Sequence, residues 1–311
     1  MTTGTTFESR LDNPLLGAVM VGFSSICFGL IPLFARSLVE AGIAPPAIAF
    51  FRYAFSAIAF LPFIRLTGAA GRATLWGYCT GFCVGLGWVG YVKALALLPV
   101  SVAGVFYMTY PLFTLIIGWA VFRDRPELRA VFGGLMILGA AALAARSADQ
   151  LGALTLSAIL LALAAPLSFG LSINVLARKL ASLSPLGRMS SFALGSSTGL
   201  MPLIATYPRE AVLPATAEQW TLVVSLGVVS ALLPQLIYTT FVPKIGGAKA
   251  AALGSIELPT MFAVGFFAFG EAIGWREALA GALVLTAIVL TPARRPPASV
   301  TVAASAPAKT R

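Results

Sequence analysis

The chain has 311 residues, of which 59% are hydrophobic and only 10% charged, with a mean hydropathy of +0.92. A soluble domain carries about 25% charged residues, so a water-soluble fold is excluded and no extramembrane catalytic domain fits between the apolar runs. The net charge of +10 suits a membrane protein with basic cytoplasmic loops, not a nucleic-acid binder, because no basic block with interleaved aromatics stands outside those runs.

In chain order, the first thirteen residues are polar, and the apolar run after them is too long for a signal peptide core and is followed by others. It reads as a retained first helix. Spans are predicted at roughly 14–36, 46–65, 73–95, 99–122, 128–146, 151–178, 187–207, 218–242, 247–270 and 276–293. Stretches such as 73–92, 99–122 and 151–177 contain no charged residue at all, and a lipid-crossing helix needs roughly 20 apolar residues. Proline and glycine separate the spans at Ala44-Pro45-Pro46, Leu98-Pro99, Ser184-Pro185 and Gly246-Gly247. The expected fold class is an all-α integral membrane protein of ten transmembrane helices.

With both termini cytoplasmic, the inner connections carry fifteen Lys and Arg, whereas the outer ones carry five: Arg36, Lys93, Arg146, Arg209 and Arg276. The positive-inside rule favours this orientation. Cys27, Cys79 and Cys83 lie within apolar runs, which argues against a disulfide framework and for small apolar packing groups. The chain has no histidine. That removes His-ligated metals, haem and every hydrolase built on a His base, and no cofactor is expected.

The two halves resemble each other. A shift of 148 places Pro111 on Pro259, Ala130 on Ala278 and Gly133 on Gly281, while a shift of 141 places Phe28-Gly29-Leu30 on Phe169-Gly170-Leu171. Ala35-Arg36 matches Ala177-Arg178 at 142. Five spans per half is an odd number, so the second half is expected to run upside down relative to the first. Residues 1–147 form the first five-helix repeat, 148–296 the second, inverted one, and 297–311 a disordered cytoplasmic tail. Inverted repeats place a binding site near the midplane, where the halves meet, and let the scaffold open to either side.

The residues Ala94-Leu95 through Pro111-Leu112-Phe113, then Phe122-Arg123-Asp124-Arg125 and Gly133, resemble the repeat signature of the drug/metabolite transporter superfamily, specifically its EamA-type ten-helix exporters. Ser255-Ile256-Glu257-Leu258-Pro259, Gly270-Glu271 and Gly281 are similar to its second copy, and Phe50-Phe51-Arg52-Tyr53 to the opening of its second helix. The resemblance covers about 14–293. It departs where family members usually carry Gly-Glu and this chain has Arg123-Asp124, and where Leu258 separates Glu257 from Pro259. It implies export of amino acids or related metabolites across a bacterial inner membrane, by a monomer or weak homodimer with the lipid bilayer as its other partner.

Arg52 and Glu257 are the formal charges placed well inside spans, where a charge costs on the order of 2.5–3.5 kcal/mol on insertion scales. Arg52 is a candidate receiver of a substrate carboxylate; the alternative is an arginine that bonds helix-end carbonyls. Glu257 is a candidate proton carrier or acceptor for a substrate ammonium, against a neutral carboxyl bonded to backbone freed by Pro259. The two lie at different depths, and no direct pair is expected. Pro111 and Pro259 each remove a helical donor, and their symmetric placement makes them candidate gating kinks.

Substrate-lining candidates are Ser24, Tyr78, Trp88, Tyr110, Asn174, Gln235 and Tyr238, beside Arg52 and Glu257. Trp76, Trp220 and Trp275 read as interfacial anchors, Tyr91 as a pocket-lining ring beside Tyr78 and Trp88 or else another such anchor, and Lys93 as a snorkelling side chain. Gly77, Gly81 and Gly85 read as a close-packing ladder, and Asp124 and Glu271 as loop salt-bridge partners. Export of amino acids, aromatic or large apolar ones in particular, by alternating access is the function this pattern supports, with proton coupling through Glu257 as a candidate. A cationic-drug exporter or a nucleotide-sugar-like exchanger of the same fold is the alternative. A channel would want a polar or charged ring and an intramembrane enzyme a nucleophile, metal or acid pair; neither is visible.

Overall fold

A computed structural model of the chain describes residues 14–150, 156–245 and 247–290. Gly246, the tail 297–311 and the basic residues Arg10, Arg294, Arg295, Lys309 and Arg311 lie outside the described residues. Within them the protein is helical throughout, with no strand. The helices are α1 (Pro14–Gly29), α2 (Ile31–Glu40), α3 (Pro45–Phe60), α4 (Gly68–Leu95), α5 (Val100–Tyr107), α6 (Tyr110–Ala120), α7 (Leu128–Gln150), α8 (Leu156–Lys179) and α9 (Pro185–Ile204). They continue as α10 (Arg209–Val212), α11 (Ala217–Val224), a π segment (Ser225–Leu232), α12 (Leu233–Ile245), α13 (Gly247–Gly254), α14 (Glu257–Phe269) and α15 (Trp275–Leu290).

Among the described residues, seven helical stretches are long and apolar enough to cross a membrane: Leu15–Glu40, Pro45–Phe63, Val100–Ala120, Leu128–Arg146, Leu156–Lys179, Ala217–Val242 and Ala252–Phe269. Helices α4, α9 and α15 pack among them. Large apolar side chains such as Leu15, Leu66, Phe267 and Trp275 point outward, as they do where the solvent is lipid.

Predicted span 14–36 is interrupted at Leu30, between α1 and α2, and two further spans are broken ahead of a proline. Span 99–122 is split between Tyr107 and Tyr110, and span 247–270 between Gly254 and Glu257. Both breaks come from proline chemistry. Pro111 has no N–H for the carbonyl of Tyr107, nor Pro259 for that of Ser255, so each helix stops a turn before its proline. Hydroxyls reinforce both breaks: Thr109 donates to Phe106 O at 2.6 Å and Ser255 to Ala252 O at 2.6 Å.

Helix α4 lies between α8 and α9 and organises the core. Its glycines let it approach both. A β-carbon on Gly85 would meet Ser196 O at 2.7 Å, and one on Gly81 or Gly77 would collide with Phe192 O or Ser191 Oγ. On its other face, Gly90 would meet Ala164 Cβ at 2.8 Å. The ladder is thus a helix contact, with α9 returning Gly195 against Tyr78 and Gly199 against Phe82. Cys79 and Cys83 correct the expectation of packed thiols, because they occupy the face of α4 turned away from both neighbours and are exposed.

The packing maps onto itself when the halves are exchanged. Contact of α4 with α8 has its mate in α12 with α1, α4 with α9 in the π segment with α3, and α6 with α8 in α14 with α1. The pairs α3–α9 and α7–α15 are their own mates. The matched Phe-Gly-Leu segments show why. A β-carbon on Gly29 would stand 2.8 Å from Glu257 O, and one on Gly170 would stand 2.8 Å from Thr114 N. Each glycine therefore seats its helix against the broken helix of the opposite half.

Candidate substrate site

Arg52 sits on α3 where that helix packs near α4, only 7% exposed. Its guanidinium lies 3.6 Å over the Trp88 ring and 5.1 Å from that of Tyr53, whose hydroxyl accepts from Arg52 Nη1 at 2.8 Å. A cation over a desolvated indole gains about 2 kcal/mol or more, which offsets part of the burial cost. Arg52 Nε is buried with no hydrogen-bond partner in the protein. Such a donor is costly to leave alone, and it marks the side of the guanidinium still able to receive an acceptor.

From Trp88 the aromatic surface runs on through Tyr91, Tyr107, Tyr110 and Phe169, with ring centroids 5.1 to 6.3 Å apart. On α4 the spacing explains it, because Trp88 and Tyr91 are three residues apart and share a helix face, whereas Tyr107 and Tyr110 meet across the break between α5 and α6. Of the two readings of Tyr91, burial rules out the interfacial anchor, because the residue is wholly buried and its hydroxyl also lacks a protein partner.

Glu257 is the first residue of α14 and is half-buried. It forms no ion pair with Arg52, and α14 packs against α1 and against α5, the helix that ends in Tyr107. A cation on α3 and a carboxyl at the start of α14 thus stand on helices around the tyrosine cluster. Tyr238 stands on α12 with its ring against Phe28 at 6.3 Å.

Other candidates stand elsewhere. Ser24 is fully buried and donates to Pro234 O at 2.7 Å, so it ties α1 to α12. The Tyr78 hydroxyl shares a hydrogen bond with Thr198 at 2.7 Å between α4 and α9. Asn174 donates to Thr114 O at 2.9 Å and accepts from Arg178 at 2.8 Å, so its amide is committed near one end of α8. All three are engaged by protein in this structure. Gln235 has an exposed side chain one turn from Thr239. Pro111 and Pro259 each lie just inside the helix that follows a break. The anchors behave as expected: Trp76, Trp220 and Trp275 are exposed, and Lys179 and Arg276 rest on Trp76 and Trp275.

A solved crystal structure, described only as that of a protein, is similar to this chain at a TM-score of 0.60 and 17% identity, covering 88% of this chain and 96% of its own; at that identity it shows the fold alone. No curated protein matches. The family model described as EamA-like transporter family matches twice, over 15–146 and 156–292. These two matches take in nearly all of the described helices, one in each half, and the chain is a multi-pass membrane protein belonging to the EamA-like transporter family.

Proposed function

We propose that the protein is a secondary transporter that exports amino acids, aromatic or large apolar ones in particular, by alternating access through the interior between its halves. Joining α1 with α2, α5 with α6, α11 with the π segment and α12, and α13 with α14, and leaving out the four-residue α10, gives ten spans, read as two inverted repeats with both termini cytoplasmic in a bacterial inner membrane. The observation that carries the reading is Arg52 stacked on Trp88 with its Nε unpartnered, with Glu257 on another helix around the tyrosine cluster. A zwitterion satisfies both charges, and an aromatic side chain stacks where Tyr107, Tyr110 and Phe169 already do. One cation is too few for a polyanionic nucleotide sugar. Glu257 would hold either the substrate ammonium or a coupled proton.

Counterflow in proteoliposomes tests it, with aromatic amino acids, a cationic drug and a nucleotide sugar offered with and without a pH gradient. Exchange of the amino acids is expected. Exchange of the drug alone would replace this reading with the multidrug one, and a rate indifferent to the gradient would remove the proton.

A further inference from the structure

Both ends of the bundle carry the same arrangement of a glycine, a phenylalanine, an acid and an arginine. At one end Arg36 lies 4.4 Å over Phe269 and pairs with Glu271 at 2.6 Å. The Glu271 N–H returns to Gly265 O at 3.0 Å, and a β-carbon on Gly265 would meet the carboxylate at 2.6 Å. At the other end Arg178 lies 4.4 Å over Phe122 and pairs with Asp124. The Asp124 N–H returns to Gly118 O at 3.0 Å, and a β-carbon on Gly118 would meet that carboxylate at 3.0 Å. Phe122 and Phe269, Asp124 and Glu271, and Gly118 and Gly265 are all related by one shift of 147, and Arg36 and Arg178 by 142. Each pair joins residues from different halves.

Their places follow from helix geometry. Glu271 also accepts the N–H groups of Val100 at 2.7 Å and Ser101 at 3.3 Å, so it sits at the start of α5. Asp124 lies just past the end of α6. Helices α5 and α6 cover Val100–Ala120, 21 residues, or about 30 Å at the helical rise, which is the thickness of a bilayer core. The two ion pairs are therefore on opposite faces.

Each acid also lies just beyond the C-terminal end of a half-helix, α6 or α14, whose other end is a break. That is a lever with a hinge at one end and a catch at the other. We infer that the two pairs are the catches of the alternating-access cycle, each holding one face shut and opening in turn. Both are formed in this structure, so opening either face requires breaking one. The Arg36–Glu271 pair is also fastened by the α5 N-terminus and by Glu40, which pairs with Arg36 at 3.0 Å, and Arg178 is steadied by Asn174 on its own helix.

The inference rests on the transport reading, and its test does not depend on knowing the substrate. Spin labels at Ala41 and Ile273 report on one face and labels at Pro126 and Ala181 on the other, in nanodiscs, with Cys27, Cys79 and Cys83 replaced by alanine. Arg36→Gln, which keeps Glu271 on the α5 N-terminus, and Glu271→Gln should lengthen the Ala41–Ile273 distance by roughly one helical turn, about 5 Å. The Pro126–Ala181 distance should not lengthen. Asp124→Asn and Arg178→Gln should do the converse. Distances that ignore all four neutralisations, or two faces that widen together, would overturn the catches. Face-selective opening in a protein that exchanges no tested substrate would keep the catches and remove the substrate assignment instead.

Discussion

Arg123 and Gly270 hold equivalent places in the two halves, and both adopt left-handed backbone, with φ of 57° and 64°. Glycine accepts this region freely, whereas a side chain pays about 1–2 kcal/mol. Arg123→Gly should therefore stabilise the protein, by about 1 kcal/mol, and Gly270→Ala should destabilise it by a similar amount, both measured by thermal unfolding in detergent. Arg52 has a different task. Arg52→Gln should weaken amino-acid binding 10- to 100-fold, since hydrogen bonds to charged groups contribute about 1.5–3 kcal/mol. Arg52→Lys should restore little, because an ammonium has neither the planar stack nor the fork; isothermal titration of the purified protein measures both. Arg52 and Glu257 were legible in the sequence because charge inside an apolar run is costly enough to demand a reason. The protein partners of Asn174 and Ser24 were not legible, because their acceptors, Thr114 and Pro234, are 60 and 210 residues away, a distance over which spacing says nothing.

At the scale of helices, the apolar runs and the two prolines told most of the story, including where spans begin and that two would be disturbed. They did not tell that each break comes before its proline, since the carbonyl orphaned by a missing N–H lies four residues earlier. The π segment at Ser225–Leu232 was likewise invisible, although Pro234, which has no N–H to give Ser230, stands just beyond it. The glycine ladder gives a sharp test. Gly81→Leu should cost about 1–3 kcal/mol or more by overpacking α4 against the Phe192 backbone. Gly139→Ala has no atom within 4 Å of the new carbon and should stabilise by about 0.5–1 kcal/mol through helix propensity. Unfolding midpoints of the two variants should move in opposite directions.

Over the whole molecule, the internal repeat visible in the pairs Pro111–Pro259 and Gly29–Gly170 predicted a relation between the halves, but not that they would interleave. On the proposed function, Glu257→Gln should slow amino-acid counterflow if the carboxylate holds the ammonium, and should abolish only the acceleration by a pH gradient if it carries the proton, read as initial uptake rates in proteoliposomes. A mutant that still responds to the gradient would move the proton elsewhere. Interleaving has a further consequence, for biosynthesis. While residues up to 147 are in the bilayer and the rest is still emerging, α4 has neither α8 nor α9 beside it, and Gly29 faces lipid where Glu257 will later sit. At about 5–20 residues per second, that incomplete intermediate waits several seconds for its other half. Residues 1–147 made alone should be cleared by membrane proteases, and supplying 148–311 as a second polypeptide in the same cell should rescue them, a complementation that pulse-chase labelling would follow directly.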